Sequence, residues 1–280
     1  PMANAALETW LRDFRSAHPQ FEPAWIFLRG DPRCEAYGAF EALKQEWLDA
    51  VYAIRAPNVA STKLQWWAEE LQRAHSGEPR HPLVQAVFAD ARAKAIPLAD
   101  WHGVLAAALS QLETPPPPDL PAQLEQAAPF HGAIAQIETV LWFGAGAYVK
   151  RAEKLAAVQR AIAALRNLPM EVDYGRTPLP MSLLARHGLS QSALIDDGPA
   201  RRAALRDQAG DLLRVLDETA KLPGPLGPFR ALQARLDRRA LRRALRADEP
   251  FGEMQRLTVG FGTLFDAWRA ARAWHSAQRP

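Results

Sequence analysis

Apolar residues in this chain recur at three- and four-residue intervals over one stretch after another. Nowhere do several alternating apolar–polar segments occur together. That pattern fits amphipathic helices and argues against a sheet of half-buried strands. In the stretch 32–54, for example, Tyr37, Phe40, Leu43, Trp47, Val51 and Ile54 fall at helical spacing. Prolines and glycines cut the periodic segments to helix length. The spacing predicts helices over 5–14, 32–54, 62–75 (capped by Ser61), 83–95, 97–112, 123–147, 152–168, 181–187, 199–220, 229–246 and 251–277. The run TPPPPDLP at 114–121 lacks amide donors and reads as a stiff loop between helices, and 169–180 reads as irregular. The expected fold is an all-α array of roughly ten helices.

Composition narrows the possibilities. Hydrophobic residues make up 48% of the 280 positions and charged residues 23%, a balance that supports a buried core rather than disorder. The length allows one large or two modest domains. Cys34 is the only cysteine, which excludes an intramolecular disulfide and a multi-cysteine zinc site and fits a cytoplasmic address. No apolar run reaches the roughly 20 residues a bilayer span needs, and the opening PMANAALETW lacks the basic-then-apolar order of a secretion signal. A net charge of +3 is too mild to point to nucleic acid, and no reader motif accompanies it.

The segment LRNLPMEVDYGRTPLPMSLLARHGLS (165–190) is the most informative in the chain. Its Leu165-Arg166, Gly175-Arg176, Leu179-Pro180, Ala185-Arg186 and Gly188 resemble the second signature segment of squalene and phytoene synthases. Upstream, LQWWAEEL (64–71), Gly77 and His81-Pro82 resemble the same family in the same order, and the helix around Phe265 and Trp268 suits it. The resemblance runs from about Pro32 to Trp268 and is strong in 165–188. It implies an isoprenoid-synthase-like array around a central cavity, and a single helical domain over 1–280. It also implies prenyl diphosphate substrates with Mg²⁺ held by two carboxylate clusters on facing helices.

The sequence departs from that pattern at both clusters. Asn167 stands where the first aspartate of the second motif belongs, Met170 replaces an acid, and Glu171 alone keeps its charge. The first motif would fall in AFEALKQEWLDAV, which offers Glu46 and Asp49. Glu46, Asp49 and Glu171 are therefore the residual candidates for metal. The cationic side is fuller: Arg166, Arg176, Lys63, Arg33 and Lys44 are candidates for diphosphate contact, since guanidinium and ammonium donors suit phosphate oxygens. Trp66 and Trp67 are candidates for a prenyl pocket, although adjacent residues diverge by about 100° and cannot both face it.

On the segment 234–246, Arg235, Arg239, Arg242 and Arg246 share a face that is solvated or touches anionic lipid at a membrane periphery. Loss of acids beside surviving cations moves the expected function from synthase towards isoprenoid binding. An active head-to-head prenyl transferase and a non-catalytic assembly factor or helical scaffold are the alternatives.

Overall fold

The computed structural model describes residues 2–256 and 259–278, and these contain helices and no strand. In chain order the α-helices are α1 (Met2–Ala17), α2 (Glu22–Leu28), α3 (Cys34–Tyr52), α4 (Pro57–His75), α5 (Pro82–Ala89), α6 (Ala91–Ala95), α7 (Leu98–Gln111) and α8 (Leu120–Phe143). They continue with α9 (Lys150–Arg166), α10 (Leu168–Asp173), α11 (Met181–Arg186), α12 (Pro199–Ala220), α13 (Pro228–Arg246), α14 (Pro250–Gln255) and α15 (Phe261–Ala277).

The all-α reading holds, and the helix boundaries move for local reasons. Pro57 opens α4 instead of breaking the chain, because proline costs nothing in a first turn whose amides are unpaired anyway; Ser61 is then inside the helix and not its cap. The predicted helix 83–95 divides at Asp90, whose carboxylate accepts from the amide of Arg92 at 2.7 Å and starts α6. Asp119 does the same for α8, accepting from the Ala122 amide at 2.9 Å, so the helix begins inside the proline run. Gly144 ends α8 with φ +91, before the predicted limit. The predicted helix 152–168 ends as α9 at Arg166, the segment read as irregular from 169 starts inside the short helix α10, and the predicted helix 251–277 is two, α14 and α15.

Two large apolar clusters form most of the core. One gathers α3, α5, α7 and α8 around the fully buried Trp47, Trp101 and Trp142, with Trp67 and Trp274 at its sides. The other joins α9, α12 and α13 through Ile162, Leu165, Leu205, Leu212 and Leu241. The approach of α3 to α2 depends on Gly38: a Cβ there would lie 2.3 Å from a ring carbon of Trp25. Between the two clusters α3, α8, α9 and α13 leave a central cavity.

Candidate functional site

The cavity has a volume of about 420 Å³. Phe14, Phe21, Leu48, Ile134, Met170 and Phe229 supply its apolar wall. Its polar wall comes from one face of α3 (Glu41, Lys44, Gln45, Asp49, Tyr52), one face of α9 (Gln159, Arg160, Arg166), Glu171 of α10, and Arg230, Gln233 and Asp237 of α13. Helical spacing explains the set: 41, 45 and 49 recur every fourth residue, as do 233 and 237.

Nearly every acid here is engaged by a cation of the protein. Glu138, buried behind the wall on α8, takes Arg230 through both oxygens at 2.7 Å, and Lys44 approaches it at 3.3 Å. Lys44 also pairs with Glu41 at 2.5 Å. Burial works against ionisation of Glu138, but Arg230 and Lys44 outweigh it and hold the carboxyl below its usual range. Glu41 goes the other way: burial pushes it up, Glu138 adds to the rise, and Lys44 only partly opposes it. On the facing side Glu171 receives Arg160 in a two-pronged contact at 2.8 and 2.9 Å, and Arg176 at 2.6 Å. Despite its burial these two guanidiniums keep Glu171 below the ordinary carboxylate value. Asp237 accepts from Arg166 at 2.8 Å and Gln233 at 2.7 Å, yet burial still raises it. Asp49 has only the Gln45 amide, at 2.7 Å, and burial raises it too.

These acids fit a magnesium cluster poorly. Mg²⁺ needs several oxygens in a near-octahedral shell. Glu171 and Glu138 already spend both oxygens on guanidinium or ammonium donors. Asp237 takes Arg166 and Gln233 on one oxygen, Asp49 takes Gln45 on one, and Glu41 keeps one buried oxygen without a hydrogen bond. The less committed oxygens are therefore scattered and belong to acids that burial pushes towards their neutral forms. Among the described residues no group of three or more His, Cys, Asp or Glu is placed to hold a metal ion. Lys44, Arg160, Arg166 and Arg230 instead place positive charge of the protein beside these carboxylates.

The structure sorts the sequence candidates clearly. Lys44, Asp49, Arg166 and Glu171 line the cavity. Arg176 stands behind its wall, tying Glu171 to the carbonyl of Tyr52 at 2.7 Å and facing a smaller cavity beside Pro115–Pro117. Arg33 pairs with Asp90 at 3.1 Å, and Lys63 with Glu46 at 2.8 Å; none of these four lines the central cavity. The tryptophans are likewise elsewhere: Trp67 is core, Trp66 is exposed, and both meet the ring of His81 edge-on. The α3 face turns Lys44 and Asp49 inward, and Glu46, about 100° away from Gln45, therefore points to α4.

The sequence reading missed Glu41, Glu138, Arg160, Arg230, Asp237 and the pair Tyr52–His131. A signal for Glu138 was present, as an acid inside the apolar run IAQIETVLWF. Tyr52 and His131 meet at 2.8 Å, and the Arg160 guanidinium lies 3.7 Å above the tyrosine ring. Burial pushes the Tyr52 hydroxyl up to about 12. Burial, with Arg160, Arg230 and Lys44 nearby, holds His131 well below its ordinary value, so the ring is neutral.

A pH dependence follows. Below about pH 6.5 the unfolded chain protonates this histidine and the folded chain does not, so stability falls as pH drops from there. The variant His131→Gln keeps an amide donor for Tyr52 and cannot titrate. Between about pH 6.5 and 5 its unfolding free energy should vary less steeply than that of the parent, by about 1 kcal/mol per pH unit. Urea titrations across that range measure the difference, which also removes the parallel contributions of His18 and His81, lowered by burial in both proteins.

Comparisons with known proteins agree with this architecture. No curated protein matches the chain in sequence. A crystal structure of a dehydrosqualene synthase in complex with ligand superposes with a TM-score of 0.76 at 14% identity, over 98% of each chain. The squalene synthase HpnC from Alicyclobacillus acidocaldarius superposes with a TM-score of 0.65 at 15% identity, covering 88% of this chain and 95% of that one. At such identities the likeness shows the fold alone. The model of the squalene/phytoene synthase family matches residues 28–263, and the chain belongs to that family.

Proposed function

We propose that this protein binds a prenyl diphosphate-class isoprenoid in the central cavity without Mg²⁺ and without ionising it. The observation that carries the reading is the pairing of the cavity acids with Lys44, Arg160, Arg166, Arg176 and Arg230. In a diphosphate-ionising site, metal-bridged carboxylates stabilise the charge that develops on the leaving group. Here, the cations are built into the protein and partly neutralised by the acids they hold. The cluster of Glu171 with Arg160 and Arg176 keeps one surplus positive charge, and burial drives Glu41, Asp49 and Asp237 towards their neutral forms. The apolar wall of Phe14, Phe21, Leu48, Ile134 and Phe229 suits the hydrocarbon tail. Helices from both halves of the chain line this one cavity, which supports reading 1–280 as a single unit.

Calorimetric titration with farnesyl and geranylgeranyl diphosphate, in EDTA and in Mg²⁺, tests the reading. Equal affinity in both conditions, with no pyrophosphate released, is the expected result. Binding that requires Mg²⁺ and releases pyrophosphate would return the protein to the active head-to-head transferases. No binding in either condition would leave a helical scaffold or assembly factor.

A further inference from the structure

The C-terminal helix α15 presents two unlike faces. Ala267, Ala270, Ala271 and Trp274 are buried against the body of the molecule. Phe261, Leu264, Phe265 and Trp268, at i, i+3, i+4 and i+7, turn outward, with exposures of 93, 37, 54 and 40%. Val259, just before the helix, is exposed as well. Large apolar side chains collected on one helical face against water are costly to leave uncovered.

Cations frame this stripe. Arg269 lies over the ring of Phe265 at 5.9 Å and Arg272 over Trp268 at 5.4 Å. Neighbouring α13 carries seven arginines against one aspartate, +6, while the whole chain is only +3. The four arginines read from sequence as one face divide: Arg235 and Arg239 are taken by Asp266 of α15, and Arg242 and Arg246 are exposed with no ion pair among the described residues. The lipid contact predicted for α13 alone is therefore better placed on α15, with α13 as its cationic flank. Arg239 also joins this face to the interior. It lines a narrow void with Arg166 and Gln20, both of which line the central cavity.

We propose that the outward face of α15 docks on an anionic lipid bilayer, with Phe261, Leu264, Phe265 and Trp268 entering the headgroup–acyl boundary and Arg242, Arg246, Arg269 and Arg272 meeting lipid phosphates. Aromatic and aliphatic side chains on one face with arginines beside them are the composition of an interfacial helix. A second copy of the chain suits the face less well. The stripe covers two turns, roughly 10 Å, whereas a stable dimer buries about 800 Å² per partner. A two-fold contact would also bring arginine against arginine. The proposal does not depend on what the central cavity binds.

Cosedimentation of the full chain with vesicles tests it, using phosphatidylcholine alone and phosphatidylcholine mixed with phosphatidylglycerol. Binding to the mixed vesicles, weakened by salt, is expected. The double variant Phe261→Ser/Phe265→Ser should lower the partition coefficient at least roughly tenfold. Because both side chains are exposed, its thermal unfolding should match the parent, which keeps a folding defect separate from a docking defect. The variant Arg269→Ala/Arg272→Ala should lose the preference for anionic over neutral vesicles. Failure of the parent to bind mixed vesicles, or unchanged binding by the phenylalanine variant, overturns the proposal. So does a concentration-dependent dimer abolished by that variant, or binding to an oligonucleotide in preference to lipid.

Discussion

Replacing Glu138 by alanine is expected to cost about 3–5 kcal/mol of stability, because it leaves buried cations without their partner. Glu138 is 2% exposed and Arg230 9%, so water can replace the lost contacts only from the cavity side. Arg230 would retain only the Gln159 oxygen at 2.8 Å, and Lys44 only Glu41. Glu41 is a poor substitute, since burial already favours its neutral form. The damage would spread, because this network joins α3, α8, α9 and α13 around the cavity. At about 2–4 °C per kcal/mol for a chain approaching this size, the melting temperature should fall by roughly 6–20 °C. The double variant Glu138→Leu/Arg230→Met separates the loss of a partner from the worth of the pair. Apolar side chains of similar volume remove both charges together, and most of the stability should return. Equilibrium urea unfolding of the three proteins gives the comparison. A single variant that loses less than about 1 kcal/mol would show that Glu138 does not anchor the wall.

The contrast between what was and was not legible in the sequence follows from the range of each interaction. Helix class rests on spacing within a few residues, so Tyr37 to Ile54 announces α3, and the Leu-Arg and Gly-Arg frame of 165–180 announces the family. Helix starts depend on one side chain turning back to one amide, and Asp90 and Asp119 do so amid residues whose periodicity says nothing about it. The site itself depends on pairs far apart in the chain: Glu138 with Arg230, 92 residues away, and Arg166 with Asp237, 71 away. Neither partner is marked by its neighbours. Charge alone also misassigns residues, because one step along a helix rotates a side chain by about 100°. Lys44 and Lys63 both looked available for an anion, yet only Lys44 turns inward. The loss of Asp at 167 was visible, but the reason Glu171 is a poor metal ligand was not. That reason is Arg160, which no motif singled out.

The variant Glu171→Gln should therefore tighten prenyl diphosphate binding while weakening the fold. The glutamine keeps the length of the side chain and removes one negative charge from a site held by two guanidiniums. Its single oxygen cannot serve both prongs of Arg160 and the Nε of Arg176, so stability should drop by about 2–4 kcal/mol, less than for a fully enclosed pair because both arginines retain some exposure to solvent. Binding should respond with the opposite sign. A charge about 8 Å from a phosphate, at an effective dielectric near 20, is worth about 2 kcal/mol before screening, which leaves a gain of roughly tenfold in affinity. That gain should be the same in EDTA as in Mg²⁺. A carboxylate that ligates metal gives the reverse pattern: the same substitution would weaken binding in Mg²⁺ and leave binding in EDTA unchanged. Calorimetry on one variant in two buffers thus decides whether Glu171 serves an ion or the arginines. The arginines already occupy its oxygens, so the expected result is tighter binding without a metal requirement.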